Sequence, residues 1–103
     1  MKYLISWTPR DGGSAADQEA AAKRSLQVFS KWSPAEGANF LQFVGRVDGR
    51  GGFAVVETDD VALIARDMAI FTAFFDMSVY PVLDIEENAR ISGEAVEFRN
   101  SAS

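Results

Sequence analysis

The sequence predicts an α+β domain in the order β-α-β-β-α-β-α, built on a four-stranded antiparallel sheet. Three observations carry that reading. Two stretches repeat apolar residues at helical spacing: Ala22, Leu26, Phe29 and Trp32 in the first, and Val61, Ile64, Met68, Phe71 and Phe75 in the second. Asp48-Gly49 lies between two strand-like runs and is the strongest short hairpin signal in the chain. Short runs of strand character also stand before the first helix, at Lys2 to Thr8, and after the second, at Ser78 to Leu83.

Each element has a local cause. In Lys2 to Thr8, Tyr3, Ile5 and Trp7 alternate with Leu4, Ser6 and Thr8, and Pro9 ends the strand. Ser14 is an N-cap with Asp17 as its capping-box partner, opening an Ala-rich helix that runs to about Trp32. Pro34 and Gly37 then turn the chain. Asn39 to Val47 is rich in aromatic and β-branched residues, with Leu41, Phe43 and Val47 on one face and Phe40, Gln42, Val44 and Arg46 on the other. Phe53 to Thr58 returns as the third strand, with Phe53, Val55 and Glu57 sharing a face. Thr58, Asp59 and Asp60 start the second helix, where acids suit the positive end of the dipole. Its wide apolar arc, widened by Leu63, Ile70 and Phe74, predicts cover on more than one side. Pro81 cannot donate to a ladder, so the fourth strand is expected at an edge or at a bulge. A last helix from Asp84 to about Arg99 is expected to bury Ile91, Ala95 and Phe98.

The first six elements match the split β-α-β unit of ferredoxin-like folds, here with an extra C-terminal helix. Right-handed crossovers put the first and third strands in the centre of the sheet, and two helices on one of its faces. The other face reads as apolar rather than charged, and an uncovered apolar face implies a partner. Two such sheets packed face to face form a dimeric α+β barrel, so a homodimer through the open sheet face is expected.

Composition narrows the chemistry. The chain has 103 residues, and residues 1–103 are expected to form a single domain. Its hydrophobic fraction of 48% supports a packed core rather than disorder. The net charge is −5 and the ten Lys and Arg are scattered, which argues against nucleic acid and against an anionic membrane surface. There is no Cys and no His, which excludes disulfides, thiolate nucleophiles, Ser-His-Asp triads, haem His ligation and structural zinc. No metal and no cofactor is expected. The apolar run at the N-terminus is too short for a signal peptide and no stretch reaches the length of a membrane span, so the expected location is the cytoplasm.

The sequence also carries a resemblance. Met1-Lys2-Tyr3-Leu4, Trp7-Thr8-Pro9, Phe29-Ser30-Lys31-Trp32-Ser33-Pro34, Phe43 to Gly49, Gly51 to Asp59 and Tyr80 to Ile85 stand in order. Together they resemble a small bacterial family known only as a domain of unknown function. The resemblance spans nearly the whole chain, and the segment Gly51 to Asp59 is its most distinctive part. That family is similar to dimeric α+β barrel proteins, which implies the same fold. It offers no established catalytic residues to carry over.

Candidate chemistry is sparse. Trp7, Trp32 and Tyr3 are candidates for lining an apolar cavity between sheet and helices; the plainer reading makes them core aromatics. Glu57, on a central strand, is the one candidate general base or ligand anchor, with Arg46 of the neighbouring strand as its partner; the plainer reading is a strand-end ion pair. Tyr80, Ser6 and Gln42 qualify as pocket polar groups only if their faces point inward. The Gly-rich run Gly45 to Gly52 joins two strands, so hairpin chemistry explains it better than phosphate binding. Asp59-Asp60 and Asp84, Glu86 and Glu87 begin helices, where acids are expected without a metal.

Three functions follow in order of preference. The first is a cytosolic homodimer that binds a small, mostly apolar molecule. The second is a cofactor-free oxygenase or isomerase, by analogy with other barrels of this architecture. The third is a purely structural or interaction module.

Overall fold

The computed structural model describes residues 1–102. Among these the elements are β1 (Lys2–Pro9), α1 (Ala15–Lys31), β2 (Asn39–Gly45), β3 (Gly52–Glu57), α2 (Val61–Phe71), β4 (Phe75–Val82) and α3 (Ile85–Ser101). The sheet is antiparallel throughout, in the order β2-β3-β1-β4. The ferredoxin-like βαββαβ order with an added helix is therefore the fold, with β1 and β3 central.

Local chemistry fixes the boundaries. Ser14 and Asp17 form the full capping box: the Asp17 amide donates to Ser14 Oγ at 3.1 Å and the Ser14 amide to the Asp17 carboxylate at 3.0 Å. These bonds hold the Asp17 carboxyl below the usual carboxylate range. Asp60 caps α2, accepting from the Ala62 amide at 3.0 Å. The Arg46 amide donates to Gly51 O at 2.8 Å, closing the β2–β3 hairpin earlier than the alternation predicts, so β2 ends at Gly45 rather than Val47.

Three further expectations are corrected. β2 carries an irregularity between Phe40 and Gln42, leaving Leu41 without a partner in the ladder. The extra residue resets the alternation, so Phe40 and Phe43 face the helices together. Second, α2 stops at Phe71 and the chain enters β4 at Phe75, three residues before the predicted start. β4 follows β1 along its whole length, from Lys2 opposite Val82 to Pro9 opposite Phe75, and those ladder bonds override the helical spacing of Phe74 and Phe75. Third, α3 buries no residue, although a buried Ile91, Ala95 and Phe98 face was expected. The helix follows the edge strand β4, and its residues from Ile85 to Ser101 are all exposed.

The fully buried centre is small. Ile5, Ala38, Ala54, Val56 and Ile64 form it, with Tyr3, Trp7, Phe40, Leu63, Met68 and Met77 packed around it. The register places Ile5 opposite Ala54 and Tyr3 opposite Val56 on the helix-facing side. Leu4 opposite Val55 and Tyr80, with Ser6 opposite Phe53 and Ser78, lies on the far side. No helix covers that second face, which carries an exposed Phe53 and an exposed Tyr80. Pro81 lies on the edge strand β4, as its missing donor requires.

The turn into β3 requires glycine at Gly51. Gly51 has φ +102°, and a Cβ there would strike the Trp7 carbonyl oxygen of the neighbouring strand. Gly49 has φ +73° but open space around it. Gly51→Ala is expected to lower stability by at least about 3 kcal/mol. Gly49→Ala should cost only about 1 kcal/mol, from the left-handed backbone alone. Urea denaturation midpoints of the two variants check both values.

Candidate functional site

The helix-facing side of the sheet carries small residues where its central strands meet β2. Gly52 stands opposite Gly45 and Trp7, and Ala54 opposite Phe43 and Ile5. These short side chains leave depth above the sheet. Larger rings rise around that space. Trp7 meets Phe43 edge-on, ring centres 5.5 Å apart, and Trp32 meets Phe71 at 5.3 Å and Phe40 at 5.6 Å. Phe29 of α1 closes one side, 5.9 Å from Phe43. The result is an open cleft of about 320 Å³ between the sheet and the helices α1 and α2.

The cleft is apolar. Ser25 is the one hydroxyl side chain in its wall, and that hydroxyl donates to Ala22 O at 2.8 Å, one helical turn back. Among the described residues no charged side chain lines it. Leu26 and Phe29, on the apolar face of α1, stand at the mouth of the cleft, 68% and 47% exposed.

One charged group controls the cleft from behind. Asp67 is 2% exposed and lies on the inner side of α2, between Ile64 and Phe71. Its carboxylate accepts from Trp32 Nε1 at 3.3 Å and from the Ala35 amide at 3.2 Å. A buried carboxylate is tolerable only with such partners. The pair of bonds ties the end of α1 and the following loop to α2, and sets the Trp32 ring in the cleft wall. The sequence reading missed Asp67. Its signal was available: a single acid inside an apolar stripe at helical spacing, with Ile64 three residues before and Phe71 four after.

Of the sequence candidates, Trp7 and Trp32 come together in the cleft. Tyr3 lies on the same side of β1 but packs against the buried centre, outside the cleft wall. Tyr80 is on the far side of the sheet, opposite Leu4. Glu57 sits at the end of β3 away from Trp7, roughly 17 Å along the strand from Gly52. It is exposed, opposite Lys2 and Asn39, beside a shallow charged depression that includes Asp84 and Glu87. There Lys2 Nζ donates to Asp84 at 2.7 Å, and that bond raises the ammonium above its ordinary value. The expected pairing of Glu57 with Arg46 does not occur. The β2–β3 register puts the two at opposite ends of the hairpin, and Arg46 bonds Asp48 instead. Arg46, helped by the Arg50 amide, holds the Asp48 carboxyl below the usual range.

The segments that frame the cleft are those that carry the family resemblance, and a family match covers residues 1–96, described as Domain of unknown function (DUF3303). The chain belongs to this family. No curated protein matches it. Among solved structures it is similar to SnoaB, a cofactor-independent oxygenase from Streptomyces nogalater, at 12% identity over 81% of this chain and 92% of that one, with a TM-score of 0.32. A likeness of that size says nothing about the chemistry of the DUF3303 chain.

Asp67→Ala removes the acceptor of one buried and one half-buried donor and is expected to cost about 3 kcal/mol. Asp67→Asn keeps one acceptor oxygen and should cost less than half of that. Chemical denaturation gives the stabilities, and a red shift of tryptophan emission in Asp67→Ala reports the loosened Trp32.

Proposed function

We propose that this DUF3303 protein is a cytoplasmic homodimer that binds a small, uncharged, mostly apolar molecule in the cleft between its sheet and the helices α1 and α2. The observation that carries the reading is the cleft itself: about 320 Å³, walled by Trp7, Trp32, Phe29, Phe40, Phe43 and Phe71, with no charged side chain among the described residues. Pockets for small organic ligands have this volume range and this lining. The edge-on rings present both faces and edges to the space, which suits a flat aromatic or short hydrocarbon body. A charged ligand would lose its hydration there without gaining a partner.

Glu57, the one candidate general base, lies at the far end of β3 from this cleft, and Arg46 is bonded to Asp48 rather than to it, so the reading is binding rather than catalysis. Self-association through the open sheet face is supported by Leu4, Val55, Phe53 and Tyr80, which gather on that face by register. A cytoplasmic setting accords with the chain lacking cysteine. Among the described residues no helix is long and apolar enough to cross a membrane.

The neutral fluorophore N-phenyl-1-naphthylamine is the probe of choice, with fluorescence enhancement as the readout. Binding to the unmodified protein is expected, with quenching of tryptophan emission. Phe29→Glu places a carboxylate at the cleft mouth and should weaken binding at least tenfold, the equivalent of about 1.4 kcal/mol. Its effect on stability should be small, because Phe29 is half exposed. Glu57→Gln should bind within twofold of the unmodified protein. No binding, or equal binding by Phe29→Glu, would sink the cleft as the site. Native mass spectrometry of gently purified protein then seeks the natural ligand as a mass lost on denaturation.

A further inference from the structure

The helix α3 is unlike the other elements. It has 17 residues, and every residue from Ile85 to Ser101 is exposed. At 1.5 Å per residue it extends roughly 25 Å. The chain measures 61 × 31 × 22 Å with a radius of gyration of 18.0 Å, whereas a compact chain of this length has about 13 Å. An isolated helix of this length is marginal in water. The Arg90 bridges to Glu87 and Glu94 add only tenths of a kcal/mol to a helix.

Its sequence is nonetheless two-sided. Ile91, Ala95, Phe98 and the cap Ala102 follow at spacings of four, three and four, and Ile85, Ala89 and Val96 form a neighbouring stripe. The four glutamates, Glu86, Glu87, Glu94 and Glu97, fall with Arg90 within an arc of about 100°, which Phe98 borders beside Glu87; Asn88, Arg99 and Ser92 lie between the two apolar stripes on the acid-free side. More than half of the helix circumference therefore carries no carboxylate. Phe98 is 73% and Ile85 76% exposed on that half.

The surface area says what covers it. A folded monomer of 11.2 kDa exposes about 5,700 Å², and this chain exposes 7348 Å². The excess, about 1,600 Å², falls in the range that each subunit of an obligate homodimer buries. We propose that α3 is an exchanged arm: in a homodimer its acid-free side packs on a second copy of this chain, and the second copy's α3 does the same in return. A twofold axis makes the contact reciprocal and closed, so no face is left to polymerise. The inference rests on the homodimer of the preceding section and adds the arm to it. It is independent of the cleft ligand.

The test uses the full chain and light scattering after size exclusion. The unmodified protein is expected to be a dimer. Ile91→Glu combined with Phe98→Glu alters only exposed positions of the protomer, and it should raise the dimer dissociation constant at least 100-fold with a loss of helical circular dichroism. Because the chain has no cysteine, single cysteines report the covered side directly. Ile91→Cys should react with a soluble disulfide reagent at least tenfold more slowly than Glu94→Cys. A monomeric unmodified protein would overturn both the arm and the dimer. An unchanged dimer in the double variant, or equal cysteine rates, would overturn the arm alone. In that case Phe53→Glu, on the sheet face, shows whether the dimer forms there instead.

Discussion

A buried aspartate on α2 accepts two hydrogen bonds, one from an indole and one from a backbone amide, and the site side of the molecule is arranged around it. Asp67 joins α2 to Trp32 and Ala35. Trp32 in turn lies within 5.3 to 6.2 Å of the rings of Phe29, Phe40, Phe43 and Phe71. These five rings come from α1 and its end, from β2 and from α2, while of the helix residues only Ile64 belongs to the fully buried centre. The carboxylate thus supplies the directional constraint that ring contacts lack. Aromatic pairs tolerate many angles, whereas two converging N–H donors fix one position.

The cleft exists because the floor is low as well as because the wall is held. Gly45, Gly52 and Ala54 occupy adjoining register positions below Trp7 and Phe43. A Cβ on Gly52 would lie 2.6 Å from Trp7 Cζ2 and closer still to the Val44 carbonyl oxygen, so the indole and the β2 backbone already fill that position. Replacing Ala54, whose methyl lines the cleft, with a branched residue usual in strands would fill part of the cavity, whereas Gly52 serves to let the Trp7 ring lie down on the sheet. Small residues on the central strands leave room, and large rings on the surrounding elements make that room apolar.

Much of the fold was legible in the sequence because local chemistry and tertiary structure agree there. The Ser14–Asp17 box, the Asp48-Gly49 turn and Pro81 on an edge strand each depend on a few neighbouring residues, and each stands as read. Legibility failed where a distant partner decides. The irregularity at Leu41 shifts Phe40 to the side of Phe43, and no local rule foretells one extra residue in a strand. Phe74 and Phe75 keep helical spacing yet leave the helix, because β1 offers a full ladder. At the site, Trp7 and Trp32 were visible as aromatics without a known meeting place. Asp67 was overlooked because an acid in a helix ordinarily faces water. Glu57 and Arg46 share a hairpin, but only the register reveals that they stand at opposite ends.

Shape separates the two kinds of apolar surface that remain. The cleft is concave and ringed by aromatic side chains, so a small body entering it is contacted from several sides at once. The far sheet face is broad, and the acid-free side of α3 is convex, so neither can surround a small molecule. Such surfaces lose water efficiently only against another extended surface of matching outline. A second copy of the chain presents both kinds at a fixed stoichiometry. The glutamates of α3 share one arc that borders Phe98, so covering the acid-free side leaves them at the rim of the contact, while Arg99 on that side must find a partner or reach water.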